Sequence, residues 1–171
     1  MTERPAPTPD PAIALCFVCL GNICRSPTAE GVMRRVLQSA GLELRVSVES
    51  AGTLGYHQGE LPDRRSRAAA RARGVELCSR ARQFGLADWE RLDYVLAMDR
   101  QNFEHLAASA PNAQARAKLR LFRDFDPAAP AGAEVPDPYY GGPEGFEHVL
   151  DLCQAAAQGL LQHLLRDHRL R

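Results

Sequence analysis

The sequence predicts a single α/β domain, with a parallel four-stranded sheet and helices on both faces of that sheet. Short apolar runs alternate along the chain with segments whose apolar residues follow helical spacing, which is typical of parallel sheets. The first run, residues 13–18, is continuously apolar, as expected for a strand that is buried on both faces. A chain of 171 residues, 45% of them hydrophobic, is long enough to form one ordinary domain with its own core.

The first helix is predicted directly after the first strand and the loop that follows it. Ser26 is a favourable N-cap residue, and Pro27 suits the first position of a helix. Apolar residues then recur at helical spacing until Gly41, which is expected to end the helix.

A second strand and a second helix come next. Leu44, Val46 and Val48 alternate with other side chains, which predicts a strand that leads into the segment Glu-Ser-Ala-Gly-Thr at 49–53. An arginine-rich helical stretch is expected at about residues 64–73.

The C-terminal half of the chain predicts two more strands and two more helices. Residues 94–98 form the third predicted strand, which is followed by Asp99 and a helix to about residue 108. Residues 118–122 predict a shorter fourth strand, and a loop rich in proline and glycine covers 124–143. The apolar face of the last helix comprises Phe146, Val149, Leu150, Cys153, Ala156, Ala157, Leu160, Leu161 and Leu164.

The strand ends predict where a ligand binds. In open α/β sheets, ligands bind outside the carboxyl ends of the strands. Cys19, Ser50 and Asp99 all lie at such ends. We therefore expect a single site that combines the loops after the first, second and third strands.

The composition argues against several classes of partner and site. Zero formal net charge argues against a polyanionic partner such as a nucleic acid. No uninterrupted apolar stretch approaches the roughly 20 residues that span a bilayer, so no membrane partner is expected. Five cysteines without paired metal-ligand spacing argue against a disulfide framework and against a metal site, and favour reduced thiols in the cytoplasm. Cys16, Cys78 and Cys153 are predicted to be core residues.

The chain is predicted to contain one tail and one domain. Residues 1–12 are rich in proline and have neither an apolar core nor the pattern of a secretory signal, so they are predicted to be disordered. Residues 13–168 are predicted to form the domain, without an internal repeat, and a monomer is expected.

The segment Cys-Leu-Gly-Asn-Ile-Cys-Arg-Ser-Pro at 19–27 carries the chemistry. The loop's N–H groups, the helix N-terminus and Arg25 can together stabilise a thiolate on Cys19, and Ser26 adds a hydroxyl donor. The same donors fit the oxygens of a phosphoryl group, and the planar guanidinium of Arg25 can bind two of them at once. The segment therefore predicts a site that holds a phosphate against a nucleophilic thiolate.

The loop itself is predicted to bind the phosphoryl group. Gly21 and Asn22 tolerate the left-handed backbone conformations that turn N–H groups inward. The residues predicted to bind the phosphate are Leu20, Gly21, Asn22, Ile23, Cys24 and Ser26.

A carboxylic acid is needed to protonate the group that leaves phosphorus. The segment 136–141, Pro-Asp-Pro-Tyr-Tyr-Gly, supplies Asp137 between two prolines that stiffen the backbone. Tyr139 and Tyr140 offer aromatic walls for an aromatic substrate. An Asp-Pro pair near glycines is more often a simple turn, and only the partner cysteine favours the catalytic interpretation.

Five short motifs occur in order along the chain. They are the cassette at 19–27, Ser-Ala-Gly-Thr at 50–53, Ala-Arg-Gln at 81–83, Met-Asp at 98–99 and Asp-Pro-Tyr-Tyr-Gly at 137–141. With these motifs, the chain from the first strand to the last helix resembles the low-molecular-weight protein tyrosine phosphatases. The resemblance implies a flavodoxin-like fold of the phosphotyrosine protein phosphatase I type. It also implies hydrolysis of phosphotyrosine and small aryl phosphates without a cofactor.

The resemblance also assigns roles to the site residues. Cys19 is implied as the nucleophile, Arg25 as the phosphate clamp, and Asp137 as the general acid and then the general base. Further residues are implied to hold the loop in shape (Asn22, Ser26 and Ser50) or to line the slot for the phosphotyrosine ring (Tyr56, Tyr139 and Tyr140). His57, beside Tyr56, is interpreted as an exposed loop residue rather than a substrate contact. One departure is Ser79, which stands where many relatives carry a histidine that braces the loop.

Three other functions are compatible with part of the pattern. A thioredoxin-coupled arsenate reductase has a similar fold and loop, but it needs two further cysteines close together, and Cys78 has no such neighbour. A phosphoarginine phosphatase is disfavoured, because relatives that act on phosphoarginine tend to carry threonine at the place of Ile23. A catalytically silent phosphopeptide-binding module would need neither the nucleophile nor the acid.

Overall fold

Four parallel strands form the centre of the fold in the computed structural model, which describes residues 11–170. They are β1 (Ile13–Cys19), β2 (Val46–Gly52), β3 (Tyr94–Ala97) and β4 (Leu119–Leu121), in the order β2-β1-β3-β4. All three pairings are parallel, so the predicted sheet is confirmed. The register places Cys19 beside Gly52, so the ends of β1 and β2 lie side by side.

Helices cover both faces of this sheet, as predicted. The helical elements are α1 (Arg25–Ser39), α2 (Arg64–Ala72), α3 (Asp88–Arg91), α4 (Arg100–Ser109), α5 (Ala113–Arg116), a 3-10 turn (Phe122–Phe125) and α6 (Pro143–Asp167). Within residues 11–170, no helix has both the length and the apolar character needed to cross a membrane.

The core consists of two layers, one on each face of the sheet. Because side chains alternate along a strand, Leu15 and Phe17 of β1 pack in the larger layer, beneath α1 and α6. Cys16 and Val18 of β1 pack in the smaller layer, together with Trp89. Every residue predicted for the apolar face of the last helix is buried in α6.

Several local predictions are wrong. Ser26 does not cap α1, because that helix begins at Arg25 after Cys24 and the Ser26 hydroxyl is used elsewhere. Leu44 is exposed, since a turn precedes β2 and the strand starts only at Val46. Cys78 is also exposed rather than part of the core.

Other local predictions agree with the structure. Gly41 adopts a left-handed conformation, with φ 71°, just beyond the end of α1. Cys16 and Cys153 are fully buried. The predicted tail at 1–12 lies outside the described residues, except for its last two positions.

Candidate active site

A cavity of about 260 Å³ opens at the carboxyl ends of the strands. Most of the predicted site residues line this cavity: Cys19, Leu20, Gly21, Ile23, Cys24, Arg25, Tyr56, Asp137, Tyr139 and Tyr140. The other three are Asn22, Ser26 and Ser50. They are buried, and their side chains are joined by hydrogen bonds that support the loop. Leu54 and His57 line the cavity as well and were not predicted to do so.

The Cys19 thiol lies at the floor of the cavity. It is almost completely buried, with 3% of the residue exposed. The backbone N–H of Asn22 donates to Sγ at 3.3 Å, and the hydroxyl of Ser26 is hydrogen-bonded to Sγ at 3.0 Å. The loop therefore places one backbone donor and one hydroxyl group against the sulfur of the predicted nucleophile.

Asn22 holds the loop in its curved shape. Its backbone is left-handed, with φ 58°, a conformation that asparagine tolerates better than most residues. Its side-chain Nδ2 donates to Ser26 Oγ at 2.7 Å and to Ser50 Oγ at 3.0 Å. Its Oδ1 accepts from the Arg82 backbone N–H at 3.1 Å. The buried amide is therefore bonded on both sides, which ties the loop to two other segments.

Two glycines permit the close packing around this loop. Of the two residues expected to tolerate a left-handed backbone, Asn22 adopts it and Gly21 does not. Gly21 instead leaves room for the ring of His57. A Cβ at Gly21 would lie 3.0 Å from His57 Cδ2. A Cβ at Gly52 would lie 2.8 Å from the carbonyl oxygen of Leu20, so any side chain at Gly52 would displace the loop.

Glu30 extends the hydrogen-bond network of Asn22, Ser26 and Ser50 towards the surface. This residue was not predicted from the sequence. The Ser50 hydroxyl donates to Glu30 Oε2 at 2.5 Å, and Arg34 Nη2 contacts Glu30 Oε1 at 2.9 Å. Ser79 lines a cleft of about 180 Å³ together with Glu30 and Arg34. The position of Glu30 one helical turn after Ser26 was the available signal, because such residues share a helix face.

Arg25 extends into the cavity from the start of α1 and is held from behind. Its Nη1 donates to Asp99 Oδ2 at 2.5 Å and to the Val135 carbonyl at 3.1 Å. Burial alone would lower the pKa of Arg25, but the neighbouring Cys19 and Asp99 raise it above its usual value. The other oxygen of Asp99 accepts from the Asn102 N–H at 2.7 Å and caps α4. Asp99 therefore fixes both a helix and the guanidinium.

Asp137 lies across the cavity from the loop at 19–25, called the phosphate loop from here on. Its Oδ2 is 3.8 Å from Arg25 Nη2, and 44% of its side chain is exposed. Its Oδ1 accepts from the Tyr139 N–H at 3.1 Å, which fixes the carboxyl group relative to the adjoining aromatic pair. A carboxyl group in this position can reach both a bound substrate and solvent.

Three tyrosines surround the mouth of the cavity. Tyr56 and Tyr140 are largely exposed, and Tyr139 is partly covered. Tyr139 is anchored by Arg65, whose Nη1 donates to its carbonyl at 3.0 Å and whose guanidinium lies 5.3 Å from its ring centre. These rings form an aromatic entrance above a polar floor.

Comparison with known proteins identifies the family. A family model described as low molecular weight phosphotyrosine protein phosphatase matches residues 14–170. A low molecular weight protein-tyrosine-phosphatase from Streptomyces coelicolor is 48% identical over 148 residues, which cover 86% of this chain and 90% of that protein. The human low molecular weight phosphotyrosine protein phosphatase is 35% identical over 150 residues, which cover 87% of this chain and 94% of that protein.

A solved structure agrees with these relatives. A crystal structure of a protein tyrosine phosphatase from Entamoeba histolytica, with Hepes in the active site, matches with a TM-score of 0.86 and 40% identity. The match covers 92% of this chain and 99% of that chain. The resemblance inferred from the motifs is thereby confirmed, and the chain belongs to the low molecular weight phosphotyrosine protein phosphatase family.

Proposed function

We propose that this chain hydrolyses phosphotyrosine in proteins, and small aryl phosphates, through a covalent phosphocysteine on Cys19. The observation that carries the proposal is the meeting of three groups in one cavity: the Cys19 thiol, the Arg25 guanidinium and the Asp137 carboxyl group. Nucleophile, phosphate clamp and acid are the groups that displacement at a phosphate monoester requires. The proposed substrate is a phosphotyrosine-containing protein in the cytoplasm, and the proposed enzyme is a monomer.

The first step forms the phosphoenzyme. The Cys19 thiolate attacks phosphorus while Arg25 and the N–H groups of the loop bind the non-bridging oxygens. The bond from phosphorus to the tyrosyl oxygen breaks as the S–P bond forms. Asp137, in its protonated form, donates its proton to the departing oxygen, so the product leaves as a neutral phenol.

The second step releases phosphate. Asp137, now ionised, accepts a proton from a water molecule that attacks the phosphocysteine, and the S–P bond breaks to regenerate the thiolate. The buried network of Asn22, Ser26 and Ser50 keeps the loop in one conformation through both steps, so its donors need no rearrangement.

The alternatives are less well supported. A thioredoxin-coupled arsenate reductase needs a relay of closely spaced thiols, whereas Cys78 is exposed and Cys153 is buried on the core-facing side of α6. A silent binding module needs no acid at the mouth, yet Asp137 lies 3.8 Å from the clamp.

The proposal is tested by turnover of a phosphotyrosyl peptide and of p-nitrophenyl phosphate in the presence of EDTA. We expect hydrolysis of both, with little turnover of the matched phosphoseryl peptide. No hydrolysis of the phosphotyrosyl peptide, or loss of activity in EDTA, would contradict the proposal.

Asp137→Asn is expected to slow turnover according to the basicity of the leaving group. The loss on phenyl phosphate should reach about 10² to 10⁴-fold, because a strongly basic phenolate needs the proton. The loss on p-nitrophenyl phosphate should be smaller, since p-nitrophenolate is a better leaving group. The measurement is kcat/KM for a series of substituted phenyl phosphates, because this ratio reports the steps up to departure of the phenol and not the later hydrolysis of the phosphoenzyme. An equal loss across the series would assign the acid role to another group.

Cys24 is expected to capture an oxidised Cys19. Peroxide converts the Cys19 thiolate to a sulfenic acid, and attack by Cys24 then forms a disulfide and releases water. Burial raises the pKa of the Cys24 thiol to about 12, so the attacking thiolate is scarce at neutral pH and becomes more abundant as pH rises towards that value. Disulfide closure should therefore accelerate with pH, and a dithiol reductant should restore activity.

Mass spectrometry of the oxidised protein, together with recovery assays on Cys24→Ser, measures this reaction. Cys24→Ser should keep its basal activity and recover poorly after peroxide. A bond from Cys19 to Cys78, or unchanged recovery in Cys24→Ser, would refute the prediction.

A further inference from the structure

The exposed face of α2 carries a concentration of positive charge that the proposed chemistry does not use. The chain has no formal net charge, yet residues 64–73 contain five arginines and no acidic residue. Ser66 and Ala70 form the buried side of this helix. Arg64, Arg67 and Arg71 follow one another at helical spacing, so they share the outer face and line one open groove.

The arginines of α2 differ in what they already bind. Arg65 is paired with Asp63, Arg71 with Glu76, and Arg73 with two acids of α6. By contrast, neither Arg64 nor Arg67 forms an ion pair with any residue in the range 11–170. Arg67 donates its Nε to the Pro62 carbonyl at 3.0 Å, which leaves both of its Nη groups for another acceptor.

The start of α2, which carries this arginine face, is attached to the catalytic cavity by two hydrogen bonds. The backbone N–H of Asp63, which caps α2, donates to the carbonyl of Ile23 in the phosphate loop at 2.8 Å. On the other side, Arg65 donates to the carbonyl of Tyr139 at the mouth. Ile23 and Tyr139 both line the cavity, so the start of α2 is attached to two of its walls.

We propose that Arg64 and Arg67 form a docking surface for acidic residues that flank the phosphotyrosine of the substrate protein. The proposal rests on the proposed function and specifies the substrate class. Guanidinium groups bind carboxylates through paired hydrogen bonds. An acidic segment of the substrate would supply the negatively charged partners that these two arginines do not have within residues 11–170. Arg65, the neighbour of Arg64 in the chain, donates to the carbonyl of Tyr139 at the mouth of the cavity, so we expect the acidic residues within a few positions of the phosphotyrosine.

The test compares three phosphotyrosyl peptides. One carries Asp or Glu at the three positions before the phosphotyrosine, one carries them at the three positions after it, and one carries the matching amides on both sides. We expect kcat/KM to favour one acidic peptide over the amide peptide by about tenfold, equivalent to about 1.4 kcal/mol. The preference should lie in KM with kcat unchanged, and it should shrink in about 1 M salt because exposed charges are screened there.

The double variant Arg64→Glu/Arg67→Glu should lose this preference and still hydrolyse p-nitrophenyl phosphate at the normal rate. The matched control, Arg45→Glu/Arg116→Glu, makes the same change in net charge at two exposed positions. These positions precede β2 and β4, so they lie at the ends of the strands opposite the cavity. This control should keep the preference. Arg64→Glu alone should lose part of it, and a negative charge in the first turn of α2 is compatible with the helix dipole.

Each outcome supports or overturns a distinct statement. A preference that survives in the double variant, or that disappears in the control as well, would overturn the docking surface. Equal hydrolysis of all three peptides by the unmodified protein would also overturn it. Failure to hydrolyse any phosphotyrosyl peptide would instead overturn the proposed function.

Discussion

Cys19→Ser is expected to lower kcat for p-nitrophenyl phosphate by a factor on the order of 10⁴ or more. The serine hydroxyl would occupy the same place beneath the loop, but it remains protonated where a thiol can ionise. The donors from Asn22 and Ser26 therefore have no anionic nucleophile to stabilise. Steady-state turnover measures the loss, and activity within tenfold of the unmodified protein would show that another group attacks phosphorus.

Two controls separate lost chemistry from lost structure in this variant. Cys78→Ser changes an exposed cysteine outside the cavity and should keep full activity. Cys19→Ser itself should still bind an oxyanion such as tungstate, because Arg25 and the loop N–H groups remain. If Cys19→Ser loses both turnover and oxyanion binding, the cysteine supports the loop rather than the reaction.

Arg25→Lys is expected to reduce kcat/KM by a factor on the order of 10³. An ammonium group is a single point of charge, so it cannot bind two phosphate oxygens while it also replaces the bonds to Asp99 and Val135. The loss should be larger in kcat than in KM, since charge on the oxygens is redistributed as the bond to phosphorus breaks.

Arg65→Lys is the matched control for this prediction. Arg65 lies at the mouth of the cavity, but its side chain is exposed and contacts Asp63 and Tyr139 rather than the floor. It should retain p-nitrophenyl phosphate turnover within a few-fold. Activity of Arg25→Lys within tenfold of the unmodified protein would assign Arg25 a structural role only.

The parts of the fold that the sequence predicts are those encoded by local periodicity. The continuous apolar run of β1 and the apolar face of α6 bury the residues expected from their spacing. The single-turn helices α3 and α5 were not predicted, because four residues are too few for a periodic signal. The exposure of Cys78 was missed because burial alternates in the segment after α2: Val75 and Leu77 are buried, whereas Cys78 lies on the opposite, exposed side.

The candidate site was predictable where its residues are adjacent in the sequence. The stretch from Cys19 to Arg25 contains its own turn, donors and helix start, so one segment encodes most of the loop that is proposed to bind phosphate. The side chains that support this loop come from distant segments. Glu30 reaches Ser50 only because α1 packs beside β2, and the Arg82 N–H reaches Asn22 through a segment that bridges to the end of β2. Such contacts depend on tertiary packing, and the position of Glu30 one helical turn after Ser26 was the one local signal for them.

The most direct test of a covalent phosphocysteine is rapid chemical quench of the Asp137→Asn protein with p-nitrophenyl phosphate, followed by mass spectrometry. Formation of the phosphoenzyme from this substrate depends little on the acid, whereas loss of the general base slows its hydrolysis, so the intermediate should accumulate. We expect a phosphoryl group attached to the sulfur of Cys19, and no such group in Cys19→Ser treated in the same way. Turnover without any phosphorylated Cys19, or a phosphoryl group on a different residue, would contradict it.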